Sequence, residues 1–378
     1  MSDSRPNSPP PNKHPAWTPR IWFGMRFGDV MKLLREGRFR VSLSRIHMPL
    51  LLLPVAVVNS ILYWCQQLLF GRAIAEMQLP APLVIVGHFR SGTTHLYELL
   101  ARDPRSIAPT TFQCFAPNHF LLTQSWLPKF LRWLMPTKRP MDNMTIGLER
   151  PQEDEFAMVA MGGPTMYRRM AFPNEPPVDL STLDMEGIPP RKENRLRERL
   201  TWFYKAVTLK TERRLLVKAP PHTGRIAWLA EQFPGAQFLH IVRDPSAMIP
   251  SLERTWRVLD LTQAFQTPDG DKDYLPLIEE TFERMFASFR ESQATLKAGQ
   301  LHEIRYEDLI ADPLNTLEEV YRELQLGDFG AARPAIQEYL NSLADYRPNQ
   351  LAQVSSDGVG ESEIWQWYRE TYGYGKGS

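Results

Sequence analysis

A chain of 378 residues with 44 Lys+Arg against 43 Asp+Glu is long enough to bury a sizeable core and carries a net charge of +1. That balance excludes a general nucleic-acid binder, so affinity for anions has to come from where individual cations stand. Two cysteines, Cys65 and Cys114, make neither a disulfide framework nor a metal-ligand pattern, which points to a reducing, cytoplasmic setting.

The chain begins MSDSRPNSPPPNKHP, and residues 1–20 read as a disordered Pro-rich tail. No apolar run follows the start, so it is not a signal peptide. Residues 21–80 read as an N-terminal helical extension. Within it, Met48 to Gly71 (MPLLLLPVAVVNSILYWCQQLLFG) is uncharged and follows Arg35, Arg38, Arg40 and Arg45. Three readings stay open for 48–71: a buried or domain-flanking helix, a helix in peripheral contact with a membrane surface, and a span. Pro49, Pro54, Asn59, Ser60, Gln66 and Gln67 weigh against the span, as does the short distance to the next motif.

From residue 81 the pattern repeats as apolar run, turn and helical period. LVIV (83–86) leads into THLYELLARD, and RLLV (214–217) into TGRIAWLAEQF. QFLHIV (237–242) leads into SAMIPSLERTW, and HEI (302–304) into NTLEEVYRELQL. Such alternation predicts βαβ units, hence an α/β domain over 81–378 with a P-loop-like central parallel sheet flanked by helices. An insertion fills 105–210, and a charged helix pair is expected around 272–297. The insertion's Phe112, Phe115, Trp126, Trp133, Met141, Met144, Met158, Met166 and Tyr167 could line a pocket, but core packing is the simpler expectation.

Ligands bind beyond the carboxyl ends of strands in open α/β sheets. Here LVIV exits into GHFRSGTT with Arg90, RLLV into Lys218, QFLHIV into Arg243, and HEI into Arg305 and Tyr306. One such cation is ordinary surface charge; four beyond one sheet edge predict an anion site. Gly87 and Gly92 let successive N–H groups converge, and Ser91, Thr93 and Thr94 add hydroxyls where the next helix begins. The loop has the outline G-x-x-x-x-G-K-[ST] with Thr93 in place of the lysine. A P-loop kinase or NTPase would need that lysine and a Mg²⁺ carboxylate beyond another strand. Asp244 stands near, but behind Arg243 and before Pro245. The arrangement suits an anion neutralised by protein groups without metal, such as a phosphosulfate.

These segments resemble the sulfotransferases that use 3′-phosphoadenosine 5′-phosphosulfate (PAPS). VGHFRSGTTHLYELLARDP is similar to their 5′-phosphosulfate loop, and HIVRDPSAMIPSLERTW to their 3′-phosphate segment. LVKAPPH is similar to the segment with a basic residue at the reacting centre, and RYEDLIADP to one whose Tyr contacts the nucleotide. The order and the loop arginine are closest to the branch with bacterial and tyrosylprotein sulfotransferases. The resemblance implies donor contacts from Arg90, Ser91, Gly92, Thr93, Thr94, Arg243, Ser251 and Tyr306. It also implies a catalytic role for Arg90 and Lys218 at the breaking bond, no metal, and a hydroxyl-bearing acceptor (small molecule, lipid, glycan or tyrosine). A C-terminal basic segment closing over the donor would bring in Arg347. Eight residues of helix separate Arg243 from Ser251, about 12 Å, so both reach one phosphate only if the segment folds back near Pro250. The rival to catalysis is a nucleotide-binding protein that works at a membrane surface through its N-terminal stretch.

The acceptor needs a base, for which relatives use Glu or His. The stretch corresponding to the tyrosylprotein Glu, SIAPTTFQCFAP, holds no carboxylate, a departure from that branch. RPQEDEFAMVAMG offers a substitute: Glu153, with apolar Phe156 and Ala157 at i+3 and i+4, is the first choice and Glu155 the second. Carboxylates in a first helical turn are also ordinary dipole partners. His222 and His119 follow, each more simply a cap or packing residue.

Overall fold

The structure, a computed structural model, describes residues 20–132, 147–175, 178–343 and 360–375. The tail through residue 19, Trp133, Met141, Met144 and Arg347 lie outside the described residues. Five parallel strands form one sheet in the order β2-β3-β1-β4-β5: β1 (Leu83–Val86), β2 (Ser106–Ile107), β3 (Arg214–Lys218), β4 (Gln237–Val242) and β5 (Leu301–Arg305). Four of these stand where strands were expected: β1, β3 and β4 on apolar runs, and β5 on the polar stretch around HEI. β2 is a two-residue strand at the start of the segment read as the insertion, paired Ser106 to Arg214.

Alternation along β1 separates two cores. Leu83 and Ile85 join Leu216, Leu239, Ile241 and Ile304 under the helices Pro313–Glu323 and Arg333–Ser342. Val84 and Val86 join Val217, Phe238 and Val242 in the larger core on the opposite face. Register then brings the strand ends together: Ile85 pairs with Lys218, Val86 with His240, and Val242 with Arg305. Cations carried at or just beyond these ends therefore share one edge.

The N-terminal extension is helical, with α1 at Phe27–Glu36 and α2 at His47–Glu76, and it shares the larger core. Trp22 is fully buried, and its Nε1 donates to Gln263 O at 2.7 Å. The inward side of α2 is fixed by polar groups: Asn59 Nδ2 donates to Phe23 O and Met25 O, and Gln66 Oε1 accepts from Leu121 N. The charged stretch expected to be a helix pair is one helix, Leu275–Gln293; residues 272–274 precede it and Ala294 ends it. Phe112, Met158, Met166 and Tyr167 of the insertion are core residues, whereas Trp126 is exposed.

Candidate active site

The loop from β1 to α3 (Thr93–Leu100) turns on residues with positive φ: Gly87 at +149°, Arg90 at +70° and Gly92 at +101°. A Cβ on Gly87 would stand 2.5 Å from Ile241 O, and one on Gly92 2.3 Å from the Tyr306 ring. Both glycines are therefore required by close approach as well as by conformation. The Gly87 N–H donates to Thr223 Oγ1 at 2.8 Å. Ser91 is fully buried, and its Oγ has no hydrogen-bond partner among the described residues. Thr93 opens α3, so the helix dipole and its first N–H groups face the loop interior.

Arg90, Arg243, Ser251 and Tyr306 meet. Arg90 Nε donates to Ser251 Oγ at 2.9 Å, Arg243 Nη1 donates to Arg90 O at 3.1 Å, and the Arg243 guanidinium lies 4.2 Å from the Tyr306 ring centroid. The expected fold-back at Pro250 does not occur. Pro245–Gln263 is a continuous helix with Pro250 inside it, and the Asp244 carboxylate caps it by accepting from Ser246 N. Convergence comes from the loop instead, because Arg90 in its left-handed conformation reaches Ser251 while its carbonyl meets Arg243.

The helix Asp154–Ala160 sends its three leading carboxylates in three directions. Glu153, at the N-cap, accepts from Lys218 Nζ at 2.6 Å through Oε1 and from the Tyr167 hydroxyl at 2.8 Å through Oε2. Lys218, 2% exposed, also donates to Thr94 Oγ1 at 3.2 Å. This one ammonium thus ties the carboxylate to the second residue of α3. Burial pushes the Tyr167 hydroxyl, with help from Glu153 and Glu155, well above its ordinary pKa, so it remains a donor.

Asp154 accepts from His222 Nε2 at 2.8 Å and from the Tyr204 hydroxyl. Burial alone would raise its pKa, but His222, Tyr204 and Arg225 outweigh that and hold it below 3.8. Glu155 is fully buried, and Arg225 grips both its oxygens at 3.0 and 3.1 Å. His119 bonds Thr123 through Nδ1, and burial draws its pKa down to about 4. Of the four base candidates, only Glu153 contacts Lys218. Tyr167, Thr223 and Arg225 were not legible as site partners in the sequence. Tyr167 carried one usable signal, a phenol hydroxyl that needs a partner once buried.

A parallel sheet whose carboxyl edge gathers a glycine loop, two arginines, a lysine and a buried carboxylate defines a P-loop-like group transferase that works on an anionic donor. The chain belongs to the sulfotransferase family, whose model matches residues 82–329. Omega-hydroxy-beta-dihydromenaquinone-9 sulfotransferase Stf3 of Mycobacterium bovis and that of Mycobacterium tuberculosis are each 37% identical to it over 361 residues, 95% of this chain and 92% of theirs. Two crystal structures share the fold at 15% identity. Sulfotransferase STF9 from Mycobacterium avium has a TM-score of 0.61 and covers 92% of this chain and 96% of its own. STF1 from Mycobacterium tuberculosis H37Rv has a TM-score of 0.54, with 92% and 91% covered. The protein is therefore an enzyme that moves a sulfuryl group to a hydroxyl acceptor, and its family draws that group from PAPS. The kinase and non-catalytic readings fall with this.

Proposed function

We propose that the protein transfers the sulfuryl group of PAPS to a hydroxyl on an apolar, menaquinone-like lipid, with Glu153 as base and Lys218 at the breaking bond. The contact of Lys218 Nζ with both Glu153 and Thr94 carries this reading. It puts the proton acceptor and the loop within reach of one cation. Glu153 takes the acceptor's proton as its oxygen attacks sulfur, and the bond from sulfur to the 5′-phosphate oxygen breaks. The negative charge gathering on that oxygen is met by Lys218, Arg90 and the loop N–H groups. The Tyr167 hydroxyl positions Glu153 from its other oxygen. Glu155, held by Arg225 on both oxygens, supports the helix.

Arg243 and Ser251 hold the 3′-phosphate, and the Tyr306 ring backs the nucleotide; their convergence on Arg90 supports this. The Ser91 Oγ, without a partner among the described residues, and the N-terminus of α3 suit the 5′ group. Full-length similarity to a menaquinone sulfotransferase supports a lipid acceptor. Two free cysteines support a cytoplasmic location. Thermal-shift titration tests the donor. Adenosine 3′,5′-bisphosphate should stabilise the protein strongly and ATP with Mg²⁺ weakly, and stabilisation by ATP alone would refute PAPS as donor.

A further inference from the structure

The side of α2 that faces away from the domain has the composition of a core. Leu50, Val57, Ile61, Trp64 and Leu68 are between 45% and 87% exposed. Their spacing of seven, four, three and four residues makes one stripe, about 27 Å long at 1.5 Å per residue. Single exposed apolar residues are ordinary, but a contiguous stripe of this length on a soluble domain is not. The polarity of the helix is inverted, for its buried side carries Asn59 and Gln66, whose amides hold the domain.

We propose that this stripe docks the enzyme on an anionic lipid bilayer, with α2 lying in the plane of the membrane. The proposal deepens the lipid-acceptor reading and rests on it for its purpose. Charge selects the occupant. Arg35, in the last turn of α1, and Arg38, in the connection from α1 to α2, are exposed, and the same connection carries Phe39 and Leu43, which are 55% and 90% exposed. Cations next to apolar side chains at one end of an apolar helix match phosphate headgroups above acyl chains. Trp64 suits the headgroup level. A spanning arrangement fails on the other side of the helix. Leu52, Ala56 and Ile74 are buried in the main core, and Ser60 Oγ holds Phe27 N at 2.9 Å, so lipid cannot surround α2.

The cysteines permit a direct test on the full chain, because Cys65 is exposed next to Trp64 while Cys114 is buried. A polarity-sensitive thiol dye on Cys65 should shift to the blue with vesicles of equimolar phosphatidylcholine and phosphatidylglycerol. Unlabelled protein should float with those vesicles and at least about tenfold less with phosphatidylcholine alone. The double variant Ile61→Glu, Leu68→Glu should lose flotation by about tenfold or more, with an unchanged thermal shift by adenosine 3′,5′-bisphosphate. Wild-type protein that stays soluble with the anionic vesicles, or a double variant that floats equally, overturns the proposal. A lipid-free dimer that the double variant dissociates, without flotation of wild type, also overturns it and assigns the stripe to a second copy. Loss of the nucleotide shift in wild type would refute the donor reading and leave the docking result to stand alone.

Discussion

Lys218 is a buried cation between a carboxylate and a threonine hydroxyl, and its two possible roles separate in kinetics. If it meets charge that appears only as the S–O bond breaks, Lys218→Ala should lower kcat by about 10²-fold or more while donor affinity moves much less. Lys218→Arg should restore part of the rate, since a planar fork cannot place its charge like an ammonium. A purely structural lysine would cost stability when removed, because Glu153 would lose its buried partner, yet turnover per folded enzyme would hold. Steady-state rates on material checked for folding decide between them. Arg243 allows a second test. Arg243→Ala should weaken adenosine 3′,5′-bisphosphate while sparing adenosine 5′-phosphate, as titration calorimetry would read; equal losses would place the 3′-phosphate elsewhere. Glu153 was singled out in the sequence on its apolar i+3 and i+4 neighbours. Its pairing with Lys218, 65 positions away, was not legible, because nothing local encodes which strand end a helix start will face.

Among the elements, β1, β3 and β4 were readable because each has an apolar run between turn signals, and β5 (LHEIR) was readable only from its place ahead of a helical period. β2 was not, since Ser106–Ile107 has no run to read and exists through its register with β3. The helix α2 hid its orientation for a different reason. It is apolar nearly all round, so periodicity gives no inner face, and the inner face proves to be the one with the amides. That arrangement makes Asn59 a test of how the extension is held. Asn59→Leu keeps the bulk but strips Phe23 O and Met25 O of their donor, which should cost roughly 2–4 kcal/mol in urea unfolding. A change under about 0.5 kcal/mol would mean that the extension is held by packing alone.

At the scale of the whole molecule, burial sets how stability follows pH. His88, packed among the rings of Phe89, Phe282 and Phe286, and His119 are each drawn down to about 4 by desolvation. The unfolded chain takes up their protons near 6.5, which the folded chain refuses until about 4. Stability should therefore fall as pH drops from about 6.5, by up to roughly 3 kcal/mol for each ring by about pH 4. Asp154, held below 3.8, gives up its stabilisation only on the acid side of that value, outside the upper part of this window. Urea midpoints between about pH 7 and pH 5 should slope downward, and His88→Gln should flatten the slope; a flat wild-type profile would contradict the neutral rings.

The joint action of sheet edge, loop and carboxylate is tested most directly by following the sulfuryl group itself. Purified protein, labelled PAPS and a hydroxylated menaquinone in detergent should yield labelled lipid. Glu153→Gln should cut that rate by about 10²-fold or more, with adenosine 3′,5′-bisphosphate affinity within a few-fold of wild type. Labelled lipid formed at the wild-type rate by Glu153→Gln, in folded protein, would contradict the account.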